Sequence, residues 1–124
     1  QRAETAAERF GLRLSPEAYE RLGEERRRAL RETRRLELGE GILPALILAF
    51  CDSPYLCQDR WEERLGELQS LFYQFKNETR DALPDAELIA AMARVFEAKG
   101  GSLTALAMTE PEALLRAAGE ARHG

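Results

Sequence analysis

Histidine is almost missing from this sequence; the single one, His123, is the penultimate residue. That removes much metal chemistry at once. A zinc centre wants four Cys or His ligands at short spacing, and Cys51 and Cys57 are the only cysteines. A di-iron bundle wants Glu-x-x-His pairs facing inward from helices, and the sequence has none. Nucleophile motifs are scarce as well. No serine stands in a Gly-x-Ser-x-Gly setting, and Gly39-Glu40-Gly41 follows no strand that would make it a phosphate-cradling loop. Cys51 falls beside Asp52 at the end of an apolar segment expected to be helical. A helix C-terminus is the wrong electrostatic end for a thiolate, so Cys51 reads as an inert buried thiol. These gaps weigh against an enzyme. No cofactor and no metal are expected.

Long apolar runs are also lacking. The longest, Ile42 to Phe50, has nine residues without a charge or a hydrogen-bonding side chain, whereas about 20 are needed to span a bilayer. Acids flank it at Glu37, Glu40 and Asp52, which does not suit a signal peptide. No membrane partner is expected. Two thiols without a recognisable leader read as reduced cysteines in a cytoplasmic protein. Lysine is rare, with 2 against 16 arginines, a balance that reads as the codon usage of a GC-rich genome before it reads as chemistry. The net charge of −4 does not favour nucleic acid overall. Residues 21–35 nevertheless hold seven Arg and three Glu, a local +4, which leaves −8 for the remainder.

What the chain does have is helical signal. A sequence of 124 residues reads as one domain, 1–124, large enough to fold around its own core. Ser15-Pro16-Glu17 is a helix start: a capping hydroxyl, a proline at the first helical position and an acid near the positive end. Tyr19, Leu22, Ala29, Leu30, Thr33 and Leu36 then recur at helical spacing, with Gly39 and Gly41 expected to end the helix. Pro44 suits the first turn of a buried helix over about 43–51. Trp61, Leu65, Leu68, Phe72, Phe75, Thr79 and Ala82 form an amphipathic stripe and predict a long helix over about 59–83. Pro84 stops it, and Asp85 is expected to cap the next, whose inner face is Leu88, Ile89, Met92, Val95 and Phe96. Gly100-Gly101 ends that helix. Ser102 caps a short one, and Thr109-Glu110-Pro111-Glu112 reads as a capping box opening the last, with Leu114, Leu115 and Ala118 inward. The expected fold is therefore all-α: a compact bundle of six or seven helices around a central apolar helix, the 42–50 run.

Three stretches carry a resemblance: Leu36-Glu37-Leu38-Gly39-Glu40-Gly41-Ile42-Leu43, Phe50-Cys51-Asp52-Ser53-Pro54-Tyr55-Leu56 and Phe72-Tyr73-Gln74-Phe75-Lys76-Asn77-Glu78-Thr79. With Phe10 to Ser15, Asp85 to Ile89 and Gly101 to Leu103, they resemble a family of small uncharacterised bacterial proteins, mostly from Firmicutes, classed as a domain of unknown function. The resemblance covers nearly the whole chain and implies a bacterial, helical, single-domain protein. It implies no chemistry.

Candidate functional residues fall into three groups. Tyr73, Lys76 and Asn77, with Gln69, are expected beside the apolar stripe of the long helix, facing Asp52, Ser53 and Tyr55 of the preceding turn. Polar and aromatic groups so placed suit a partner-binding surface, and a non-enzymatic protein-interaction module, binding itself or another protein, is the leading expectation. Arg27, Arg31, Arg34 and Arg35, with Arg28 beside them, form a basic stripe that could hold phosphates. That is the nucleic-acid alternative, although no aromatics interleave to stack on bases. Arg26 falls within an apolar stripe, where it either snorkels or pairs with a buried acid. With Glu40 and Asp52 it would make a carboxylate-lined ligand pocket, the third reading. Glu37, Glu40 and Asp52 as a Mg²⁺ or Ca²⁺ site is set aside in favour of solvated loop acids and caps. Glu62, Glu63 and Glu67 are read as acids that complement a helix N-terminus. The Asn77-Glu78-Thr79 glycosylation triplet lies in mid-helix and is dismissed.

Overall fold

The computed structural model describes residues 15–36, 41–50 and 61–123. Six helices lie among them: α1 (Pro16–Thr33), α2 (Leu43–Phe50), α3 (Trp61–Glu78), α4 (Asp85–Ala98), α5 (Leu103–Ala107) and α6 (Pro111–His123). They pack as an all-α bundle with no strand among the described residues. The largest interfaces are α1 on α3 and α4 on α6, while α3 also touches α2, α4 and α5.

Helix α1 starts as its sequence dictates. The Ser15 hydroxyl accepts from the Ala18 amide at 3.0 Å, and Pro16 takes the first turn, where its missing N–H costs nothing. Its end differs from the expectation. The helix stops at Thr33, before Gly39 and Gly41, and Leu36 is fully exposed. Arg34 adopts the left-handed conformation (φ 58°), its amide bonding the Arg31 carbonyl while the Arg35 amide reaches back to the Leu30 carbonyl at 2.8 Å. This paired closure satisfies carbonyls that have no partner inside the helix.

The same closure ends α3. The Arg80 amide bonds the Asn77 carbonyl, the Asp81 amide bonds the Lys76 carbonyl, and both Arg80 (φ 55°) and Asp81 (φ 59°) are left-handed. Helix α3 is thus shorter than the predicted 59–83, and Ala82 is exposed. Helix α4 closes in the same way, with Gly100 (φ 69°) in the left-handed position that glycine adopts without steric penalty.

Helices α1 and α3 run parallel. The Ser15 amide meets Glu62, Leu22 meets Gln69, and Thr33 meets Asn77. Both therefore end at the same end of the bundle, and a polar brace joins them there. Asn77 donates from Nδ2 to the Thr33 carbonyl at 2.9 Å and accepts from Arg35 Nε at 2.7 Å, while the Arg35 guanidinium also pairs with Asp81. Lys76 bonds the Leu83 carbonyl and the Asp85 carboxylate, pinning the α3–α4 turn. These cations sit at two helix C-termini, where the backbone dipoles favour positive charge.

The core runs through Leu22, Leu46, Ile47, Phe50, Leu65, Leu68, Phe72, Tyr73, Phe75, Leu88, Met92, Phe96, Leu106 and Leu114. Phe50 meets Phe96 edge to face at a centroid distance of 5.5 Å. Helix α2 buries Leu43, Leu46, Ile47 and Phe50 but leaves Ala45, Leu48 and Ala49 exposed, Leu48 by 45%. An eight-residue helix lying on α3 and α4 covers only the face turned toward them. Two caps also differ from expectation. Asp85 is the first residue of α4 and binds Lys76, with Pro84 in the capping position and no side-chain cap. The Thr109 hydroxyl donates back to the Ala105 carbonyl at 3.0 Å, closing α5.

Candidate functional site

Helical spacing places Arg21, Glu25, Arg28, Ala29 and Glu32 along one side of α1. The same periodicity aligns Glu63, Gly66, Glu67, Ser70 and Leu71 on α3, and α5 contributes Leu103, Thr104, Ala107 and Met108. These three faces enclose an open groove of about 860 Å³. Its floor is apolar: Ala29 is buried, and Leu71 and Leu103 are half-buried against the core. Its rim is charged, with Glu32, Glu63 and Glu67 against Arg21 and Arg28, and Glu25 brings the lining to four glutamates against two arginines. Met108 stands on the α5 side, 77% exposed.

One contact at the base of the groove is unusual. Glu25 Oε1 is buried and has no hydrogen-bond partner among the described residues. It packs against Gly66, where an added Cβ would collide with that oxygen. Glycine within a helix costs about 1 kcal/mol relative to alanine, and here it opens the space that the Glu25 carboxylate occupies. Immediately beside this contact, buried Gln69 donates from Nε2 to the Leu22 carbonyl at 3.0 Å.

The residues singled out by the sequence are scattered. Tyr73 does not line a surface: it is 1% exposed and lies edge to face with Phe72, because α3 has neighbours on most of its sides and buries a second stripe alongside the first. Gln69 belongs to that same buried stripe. Asn77 is exposed but is committed to the brace between Thr33 and Arg35. Arg26 is half-buried and partnered. Glu40, Asp52 and Tyr55 lie outside the described residues, as do Glu37, Cys51 and Cys57. Of the basic stripe, Arg27, Arg31 and Arg34 are exposed, whereas Arg35 lies beyond the helix end and turns toward Asn77 and Asp81.

The groove residues Glu25, Gly66, Ser70 and Met108 were not singled out by the sequence. A glycine inside an otherwise consistent helical stripe was the available signal, since such a glycine usually has a packing reason. A second, smaller cleft of about 540 Å³ lies between α4 and α6, lined largely by Ala93, Ala98, Ala113 and Ala117 with Arg94 and Arg116. Among the described residues, no three His, Cys, Asp or Glu side chains gather to hold a metal ion. No helix among them is long and apolar enough to cross a membrane.

Fold and groove together define a small all-α bundle with an open, charge-rimmed cleft between three of its helices. Residues 1–123 match the model of a family of unknown function, DUF6323, and the chain belongs to that family. No curated protein and no solved structure matches it.

Proposed function

We propose that this protein is a non-enzymatic protein-interaction module of the bacterial cytoplasm, and that the groove between α1, α3 and α5 is its binding surface. One observation carries the reading: an apolar floor enclosed by a charged rim and walled by three helices. That is the anatomy of a protein interface, with a dry centre and a wet edge. The exposed Met108 adds an adaptable apolar contact at the rim.

The nucleic-acid reading draws less support. Arg35 is committed to Asn77 and Asp81, which leaves Arg27 and Arg31 exposed on α1 and Arg34 exposed just past its end. The small-ligand reading around Arg26 draws on Glu40 and Asp52, both outside the described residues.

The test is site-specific photo-crosslinking in cells. A benzophenone amino acid replaces Thr104, which is exposed in the groove, or Glu24, which is exposed outside it. The expected result is a protein adduct of defined mass from position 104 only, abolished by Ser70→Trp, which fills the groove from an exposed position. Equal adducts from both positions, or none from 104, would remove the reading. Retention of labelled single-stranded RNA that falls steeply with salt and is lost in Arg27→Gln/Arg31→Gln would favour the basic face instead.

A further inference from the structure

We infer that the groove receives one amphipathic helix of a partner protein, and that this helix places a lysine or arginine against Glu25 beside Gly66. The inference rests on the interaction-module reading above and specifies the partner's chemistry. Its starting point is the Glu25 carboxylate. A buried carboxylate oxygen without a donor is unfavourable, and among the described residues nothing donates to Glu25 Oε1. The position is built rather than accidental in one respect: Gly66, within α3, leaves the space the oxygen needs, and any side chain there would displace it. A cation arriving from the groove would neutralise the carboxylate and, as the Glu25 side chain turns to meet it, give this oxygen a donor; such charge-assisted bonds are the strong ones.

The surroundings select the same kind of partner. Four glutamates against two arginines give the lining a balance of −2, so complementarity calls for a basic ligand. The apolar floor calls for a ligand with an apolar face. The walls are helices, and no strand edge among the described residues offers a ladder for an extended peptide. A helix seated between helices, with anchors one and two turns apart, is the recognition mode that suits such a groove. The α1 wall from Arg21 to Glu32 is about 16 Å long, three helical turns. That length suits anchors at i, i+4 and i+7, with the cation in the middle turn opposite Glu25.

The probe is a displayed library of 16-residue helical peptides on an amphipathic Leu/Ala frame, with Lys, Arg, Gln, Leu and Glu equally represented at each varied position. It is selected on the full chain, and Ser70→Trp serves as counter-selection. The expected winners share a Lys or Arg at one central position and lose at least tenfold in affinity for Glu25→Gln. Exchanging the peptide's cation for Gln costs the same, and the two changes together cost no more than either alone. Thermal melts supply a second readout. Glu25→Gln keeps the shape of the side chain and removes its charge beside the unpartnered oxygen, so it is expected to melt no lower than the wild type while it binds worse. A purely structural Glu25 would give the opposite, a lower melting temperature. Winners that are sensitive to Ser70→Trp but lack a shared cation, or are indifferent to Glu25→Gln, overturn the anchor and leave the interaction module standing. A library that yields no binder sensitive to Ser70→Trp overturns both.

Discussion

Gln69 and Leu22 are joined by a buried hydrogen bond, side-chain Nε2 to backbone carbonyl at 3.0 Å, which ties the middle of α3 to the middle of α1. The amide is 1% exposed in an otherwise apolar stripe, so its partner decides whether it stabilises or harms the core. Gln69→Ala is expected to cost about 2–3 kcal/mol from the lost bond and the cavity. Gln69→Met keeps the volume and leaves Leu22 its place in the helix, so it should cost about 1 kcal/mol or less. Gln69→Glu buries a charge and is expected to be the most destabilised at pH 7.5. Burial raises the folded-state pKa of such an acid, so its penalty shrinks as pH falls toward 5, where the protonated carboxyl again donates to Leu22. Urea unfolding of the three variants at both pH values checks the order and the sign.

The brace at the shared end of α1 and α3 gives a second expectation. Arg35 is only partly exposed and binds both Asn77 and Asp81, whereas Asn77 also holds the Thr33 carbonyl. Arg35→Ala and Asn77→Ala should each cost about 1 kcal/mol, with a coupling of about 0.5–1 kcal/mol in the double mutant because they share one hydrogen bond. Additive losses would show that the two residues act independently.

Helix closure makes a third. Arg34 and Arg80 hold left-handed conformations that cost an L-residue about 1 kcal/mol, while Gly100 holds the same conformation freely. Arg34→Gly is expected to stabilise by a few tenths to about 1 kcal/mol, since its side chain is exposed. Gly100→Ala should destabilise by about 1 kcal/mol, and nothing lies within 4 Å of the added Cβ, so the loss would be purely conformational. Thermal unfolding with opposite shifts for the two substitutions is the check.

Helix α2 supplies the last. Leu46 is fully buried and Leu48 is half-exposed, two residues apart in the same apolar run. Leu46→Ala should lose about 2–5 kcal/mol. Leu48→Glu should change stability by about 0.5 kcal/mol or less while reducing any concentration-dependent association seen by light scattering.

Much of this fold was legible because it is encoded locally. Ser15-Pro16 and Ser102 cap the helices they were expected to cap, and Gly100 ends α4. The ends of α1 and α3 were not legible. Steric preference points to glycine for a left-handed residue, and Gly39 and Gly41 stand close by, yet arginines take the role because Asn77 and Arg35 fix both ends from across the bundle. The run 42–50 reads as apolar on every side, but burial depends on how many neighbours arrive, and the α2 face bearing Leu48 receives too few. Tyr73 reads as the edge of a stripe only while α3 is taken to have one buried face. The groove was the least visible part. Neither Glu25 nor Gly66 stands out in the sequence, and only tertiary packing brings them together.

The parallel pairing of α1 with α3 also bears on how the chain reaches its fold. Residues that meet there are 42 to 47 apart in sequence, so no local hairpin can form this interface. The intervening segment, α2 included, must be traversed first, and loop-closure entropy is spent before the contacts repay it. Refolding should therefore be slower than that of an up-and-down bundle of equal length, and fragments cut between α1 and α3 should not acquire structure separately.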